Sequence, residues 1–187
     1  EGMRVAVAAR NIEKNSLAKL VDEHDVRLFA CDAADPQSVE SLFADVTQQL
    51  GGPRLVVHNI DGRVQDVFGK RITDVAPEHV LATLKNSTFS AFLVGQKAAQ
   101  AMLENEAVDG HRGTILFTNA SAALKGFPRS GAFAAASHGK AGLAESMARE
   151  LMPEGIHVAQ IPIDAAIGVV RSDGSRAHWR AGTTEED

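Results

Sequence analysis

The sequence predicts an α/β protein of three layers, α/β/α, in which helices cover both faces of a doubly wound parallel sheet. Two observations carry this expectation. Short apolar runs alternate strictly with longer segments of helical spacing. The apolar runs are also apolar on both faces, the pattern of strands buried between two helical layers.

The runs expected to form strands are Met3–Ala9, Arg27–Cys31, Leu55–His58, Thr114–Phe117 and Ile156–Ile163. Between them, helical spacing covers Glu13–Glu23, Pro36–Leu50, Pro77–Glu104 and Gly131–Leu151. Asp35-Pro36 makes a strong helix start, because the carboxylate can accept from free backbone N–H groups and proline is tolerated in the first turn. In the last helix Leu143, Met147 and Leu151 recur at intervals of four, giving one apolar face, and Pro153 and Gly155 then end the helix. Right-handed crossovers would place these helices on both faces of the sheet. Residues 1–168 read as one domain, and periodicity is lost over 169–187, which reads as an irregular tail, a loop or a lid.

Composition narrows the function classes. The chain has 187 residues, 44% hydrophobic and 23% charged, the profile of an ordinary globular domain. A net charge of −5 without a basic cluster argues against nucleic acid or an anionic membrane surface as partner. No apolar run has the length to span a bilayer. The single cysteine, Cys31, cannot form an internal disulfide, and together these features point to a cytoplasmic protein. The seven histidines are scattered, so no metal site is expected, and no nucleophile elbow is present.

Three stretches carry a family resemblance: VAVAARN at the end of the first strand, HNID after the third, and the flanks GTILFTNASAALKGFP and LAESMARELMPEGIHVA. From Glu1 to about Gly168 the chain resembles a short-chain dehydrogenase/reductase, a Rossmann-like fold, entered just before its second strand. The resemblance implies that the first strand is missing, along with the glycine-rich turn that grips the cofactor pyrophosphate. It also implies a nicotinamide cofactor. Ala9-Arg10 puts a guanidinium beside a small neutral residue where an acidic residue would bind ribose hydroxyls, which favours a 2′-phosphate and hence NADP(H). Arg10 as a solvated strand-end charge is the plainer reading. Asp32 matches an aspartate that meets the adenine edge, and serves equally well as a loop-capping residue. Asn59 matches the first part of a small-residue signature, with a backbone-bracing role, whereas Asp61 stands where that signature has glycine.

At the reacting end, the family's mechanism uses a tyrosine to pass a proton, a lysine one turn later to lower its pKa and hold the ribose, and an upstream serine to orient the substrate oxygen. The chain contains no tyrosine at all. Phe133 falls in the tyrosine position and Ser137 in the lysine position. Lys140, a turn further along, is either a substitute reaching for ribose or phosphate or an ordinary surface lysine. Ser121 is the best candidate for the orienting serine, with loop backbone capping as its alternative. The helical assisting asparagine aligns with Ser87.

The implied function is NADP(H)-dependent reduction of a carbonyl or oxidation of a secondary alcohol. The alternative is a non-catalytic scaffold that binds dinucleotide or serves assembly. The resemblance further implies a homodimer or homotetramer built on the two long helices, whose stripes include Phe92, Ala99 and Met102, and Ala136, Leu143 and Met147. Core packing within one subunit would explain the same stripes.

Overall fold

The computed structural model describes residues 2–13, 17, 21–164, 168–170 and 175–178. The chain is a Rossmann-like α/β fold of the three-layer α/β/α class with parallel sheets. Strands β1 (Val5–Ala9) and β2 (Val26–Ala30) pair in parallel. Strands β3 (Leu55–His58), β4 (Gly113–Ala120) and β5 (Ile156–Ile163) form a second parallel sheet in that order, with β4 in the middle. The helices are α1 (Pro36–Leu50), α2 (Pro77–Leu84), α3 (Ser90–Leu103) and α4 (Gly131–Leu151).

The predicted bounds of β3, β5, α1 and α4 are met residue for residue. Asp35 caps α1 as expected, its carboxylate accepting from Ser38 N at 2.8 Å, with Pro36 following in the first turn. The expected helix Glu13–Glu23 is helical at 17 and 21–23 and otherwise lies outside the described residues. The bounds of β1, β2 and β4 shift from the expected Met3–Ala9, Arg27–Cys31 and Thr114–Phe117, and three further expectations change. Pro77–Glu104 is not one helix: a π-helical turn, Lys85–Phe89, separates α2 from α3. Within the stretch read as an irregular tail, Gly168–Val170 (β6) and Arg176–His178 (β7) make a short antiparallel pair. The third change concerns burial. β1 and β3 are far more exposed than two-sided apolar strands should be, with Leu55 and Val57 at 45% and 49%.

The reason lies in how the layers pack. α3 and α4 cover β4 and β5, and the main core comprises Ala91, Ala98, Ala99 and Met102 from α3, Ile115 and Phe117 from β4, Ala144 from α4, and Ile156 and Val158 from β5. A second cluster joins β2 to this body, with Cys31 and Val39 packed against Leu93 and Val94 of α3. Val56 of β3 points into these clusters. Strand geometry sends its neighbours Leu55 and Val57 to the opposite face. β1 and β3 share no ladder, so each keeps one unpaired edge among the described residues.

Candidate functional site

In a parallel α/β sheet the strands' carboxyl ends are where ligands bind, because loops and helix starts converge there. The candidate residues follow those ends. Arg10 stands exposed directly after β1, Asp32 follows β2, Asn59 follows β3, Ser121 follows β4, and α4 begins a few residues later. The side chain of Asp32 accepts from Ala34 N at 3.0 Å, which is the loop-capping role. Asn59 Oδ1 accepts from Thr118 Oγ1 at 2.7 Å and so braces the end of β3 against β4.

Lys140 overturns the surface reading. It is 2% exposed, and its ammonium donates to Ile60 O at 2.8 Å and Thr118 O at 3.3 Å. Burial pushes its pKa down to about 8, while Asp61 works in the opposite direction. Its hydrogen bonds fasten α4 to the ends of β3 and β4. Ser137, in the lysine position, is also buried, and its carbonyl accepts from Asn119 Nδ2 at 3.0 Å. The same amide donates to Gln160 Oε1 at 3.0 Å, tying β5 into the arrangement.

Sequence reasoning missed three features here. The first is Arg63. Its Nε donates to Asp61 Oδ1 at 2.6 Å, and its guanidinium lies 4.0 Å over the Phe133 ring and 4.6 Å over that of Phe68. Such stacking is worth about 0.5–2 kcal/mol depending on desolvation. The carboxylate at Asp61 is therefore paired, and the face of Phe133 carries a fixed positive charge. Opposite charges flanking a glycine in Asp61-Gly62-Arg63 were the available signal.

The second is Gly62, which has a φ of +78°. A Cβ there would lie 2.6–2.8 Å from Ser87 Cβ, N and Cα. The glycine that lets this loop pass closely stands one place after the position where the resemblance sought it.

The third is the buried pair His58 and Ser90. Ser90 Oγ, with one proton, donates to Asn86 O at 2.6 Å or Ser87 O at 3.0 Å, so His58 Nε2 must be the donor to Ser90 Oγ at 2.9 Å. Nδ1 is left as an acceptor with no protein partner. Burial, aided by the nearby charge of Lys140, pushes the His58 pKa down to about 3, and the ring is neutral. Ser90 Oγ thereby donates to a carbonyl within the π-helical turn. Ser87, aligned with the family's assisting asparagine, sits buried in that turn.

The enoyl-(acyl carrier protein) reductase family model matches residues 1–180. The chain belongs to this family of short-chain dehydrogenases/reductases. A 3-oxoacyl-[acyl-carrier-protein] reductase of Mus musculus is 26% identical over 178 residues, covering 94% of this chain and 69% of that protein. A short-chain dehydrogenase from Rhodopseudomonas palustris is 30% identical with a TM-score of 0.76, over 88% of this chain and 74% of that one. A variant of actinorhodin polyketide ketoreductase is 26% identical with the same TM-score of 0.76, over 86% of this chain and 60% of that one. The chain thus spans 60–74% of the lengths of these three short-chain dehydrogenases/reductases.

As a cofactor site, the two ends of the arrangement differ. At the adenosine end Arg10 is exposed beside the small Ala9. The nicotinamide end fits less well. Phe133 has no proton to give, and Lys140 is committed to two carbonyls.

Proposed function

We propose that the chain binds NADP(H) along the carboxyl ends of its strands and acts on a carbonyl or secondary alcohol as an oxidoreductase. What supports this reading is that Arg10, Asp32, Asn59 and Ser121 follow the carboxyl ends of strands, with Phe133 in the first turn of α4, in a chain of this family. The similar actinorhodin ketoreductase structure is one with NADPH, which supports the choice of cofactor. Arg10 would hold the 2′-phosphate and Asn59 would keep the β3 loop seated under the dinucleotide. The bound nicotinamide supplies or accepts hydride. Ser121 donates its hydroxyl to the substrate oxygen, and Phe133 closes the pocket wall as an apolar surface. Without a tyrosine, the proton exchanges with solvent rather than with a residue at position 133, so turnover is expected to be slow.

A second reading is a dinucleotide-binding scaffold without turnover. The burial of Lys140 and the Arg63 guanidinium over Phe133 favour it. One experiment separates the readings. NADPH and NADH are titrated into the purified chain by cofactor fluorescence, with R10A alongside, followed by a screen of ketones for NADPH oxidation. Micromolar NADPH binding, weakened about tenfold or more in R10A, with measurable oxidation supports the enzyme. Binding without oxidation leaves the scaffold, and no binding to either cofactor removes both.

A further inference from the structure

At the opposite ends of the strands lies a recess of about 250 Å³ lined by Arg54, Val108, His111, Arg112, Gly113 and Thr114. It opens where β4 begins, and the eight residues of that strand put it roughly 25 Å from the candidate cofactor site. A two-residue turn builds one wall. Asp109 and Gly110 both have positive φ, 49° and 81°, and Val108 and His111 exchange backbone hydrogen bonds at 2.9 Å on either side. This is the geometry of an Asp-Gly type I′ hairpin, and it sets His111 and Arg112 side by side.

The two guanidiniums are held in place by main-chain oxygens. Arg54 Nη1 donates to Glu106 O at 2.8 Å and to Arg112 O at 3.3 Å. Arg112 Nη1 donates to Leu103 O at 3.0 Å and to Asn105 O. Each arginine therefore spends one nitrogen on main-chain carbonyls around the end of α3 and the start of β4, and among the described residues its other guanidinium nitrogens have no hydrogen-bond partner. Among the described residues neither arginine forms an ion pair. Two anchored cations with no ion-pair partner among the described residues line one recess in a chain whose net charge is −5. Like charges lining one recess repel, and an anion between them relieves that repulsion.

We propose that this recess binds a small oxyanion of the phosphate class, free or as a phosphate ester. Arg54 and Arg112 would present their unused N–H groups, the planar forks suited to phosphate oxygens. His111 and the Thr114 hydroxyl add donors at the rim, and Val108 supplies an apolar side. The volume falls below the ~300–1,000 Å³ of pockets for drug-sized ligands, which matches a small anion rather than a whole nucleotide. The site is independent of the dinucleotide reading.

The test titrates inorganic phosphate, then glycerol phosphate, into the full chain at constant ionic strength set with chloride. Backbone amide shifts are followed by NMR, and R54Q and H111A are compared with R54K. The expected result is saturable movement of amides in 108–114 at low-millimolar phosphate or tighter, weakened at least fivefold in R54Q and less in R54K. Tighter binding of glycerol phosphate than of phosphate would mark a phosphate ester as the preferred form, and the reverse would mark the free ion. Shifts that match the chloride control, or that fail to saturate by 20-fold excess over that range, overturn the proposal, as does R54Q binding equal to wild type. The wild-type titration decides the matter even if a variant does not fold. Loss of NADPH binding in R10A leaves these shifts unchanged, so the two sites fail separately.

Discussion

A single ammonium group sets much of the local chemistry at the carboxyl ends of the strands. Lys140 is buried and charged at neutral pH, held by Ile60 O and Thr118 O rather than by a carboxylate. Its pKa is near 8 in the folded chain, against an ordinary 10.5. Between those values the unfolded state holds a proton that the folded state has released, so this residue makes stability rise as pH climbs from about 8 to 10.5. Below pH 8 its charge is held in both states and its penalty is constant. Replacing it with methionine removes both the buried charge and the donor to Ile60 O, two effects of opposite sign and each of about 1–3 kcal/mol. Urea unfolding of K140M at pH 7 should therefore lie within about 1–2 kcal/mol of wild type. The alkaline rise should be flatter than in wild type; an undiminished rise would place its origin at another group. The spacing from Ala136 and to Leu143 puts Lys140 on the apolar stripe, but lysine is mostly a surface residue, and only the packing of α4 on β4 and on the loop after β3 brings carbonyls to meet it. Arg10, Asp32 and Asn59 were legible because strand ends fix where they stand, whereas Arg63 reaches Phe133 only through tertiary packing.

At the scale of elements, the helices divide their apolar residues between two jobs. The stripes that left core packing and subunit contact open resolve largely to the core. Ala99, Met102 and Ala136 are buried, and Leu143 and Met147 pack against the main cluster. Phe92 is the exception at 42% exposed. Phe89, Phe92 and Leu103 are all exposed, and a helical period puts them on one face. If the chain forms a homodimer or homotetramer, as its resemblance implies, we propose that this exposed face takes part. F92E should shift the mass measured by light scattering toward monomer without lowering the melting temperature, since the side chain already meets solvent; an unchanged mass places any subunit contact elsewhere. The bounds of α1 and α4 were legible because Asp35, Pro36, Pro153 and Gly155 are local signals. The π-helical turn was not: the Gly62 loop that passes against Ser87 and the His58 that bonds Ser90 come from distant sequence. Gly95 was equally silent. Its missing side chain lets α3 approach Phe117 and Met147, where a Cβ would sit 3.0 Å from each.

For the molecule as a whole, the fold class was legible because alternation of strand and helix leaves few topologies open. Burial was less so, since apolar composition cannot say which strands lie between two helical layers and which carry an exposed face. Among the described residues no ladder joins the two sheets; Cys31 after β2 and Val39 of α1 pack on Leu93 and Val94 of α3, and Lys97 of α3 pairs with Glu40 of α1. β4, by contrast, is hydrogen-bonded on both sides. Cooperativity within such a molecule need not be uniform, because units joined only by side-chain contacts can open separately. Native-state hydrogen exchange should find the slowest amides in β4 and β5 and place those of β1 and β2 in a group that opens at lower free energy. A single shared opening energy would mean that the small cluster around Val39 couples the sheets as firmly as a ladder does. If the groups separate, the strand end that carries Arg10 belongs to the less protected unit, and any nucleotide held there acts as a clasp: its binding energy is partly spent on keeping the two sheets closed, so its affinity and the protection of β1 should rise and fall together.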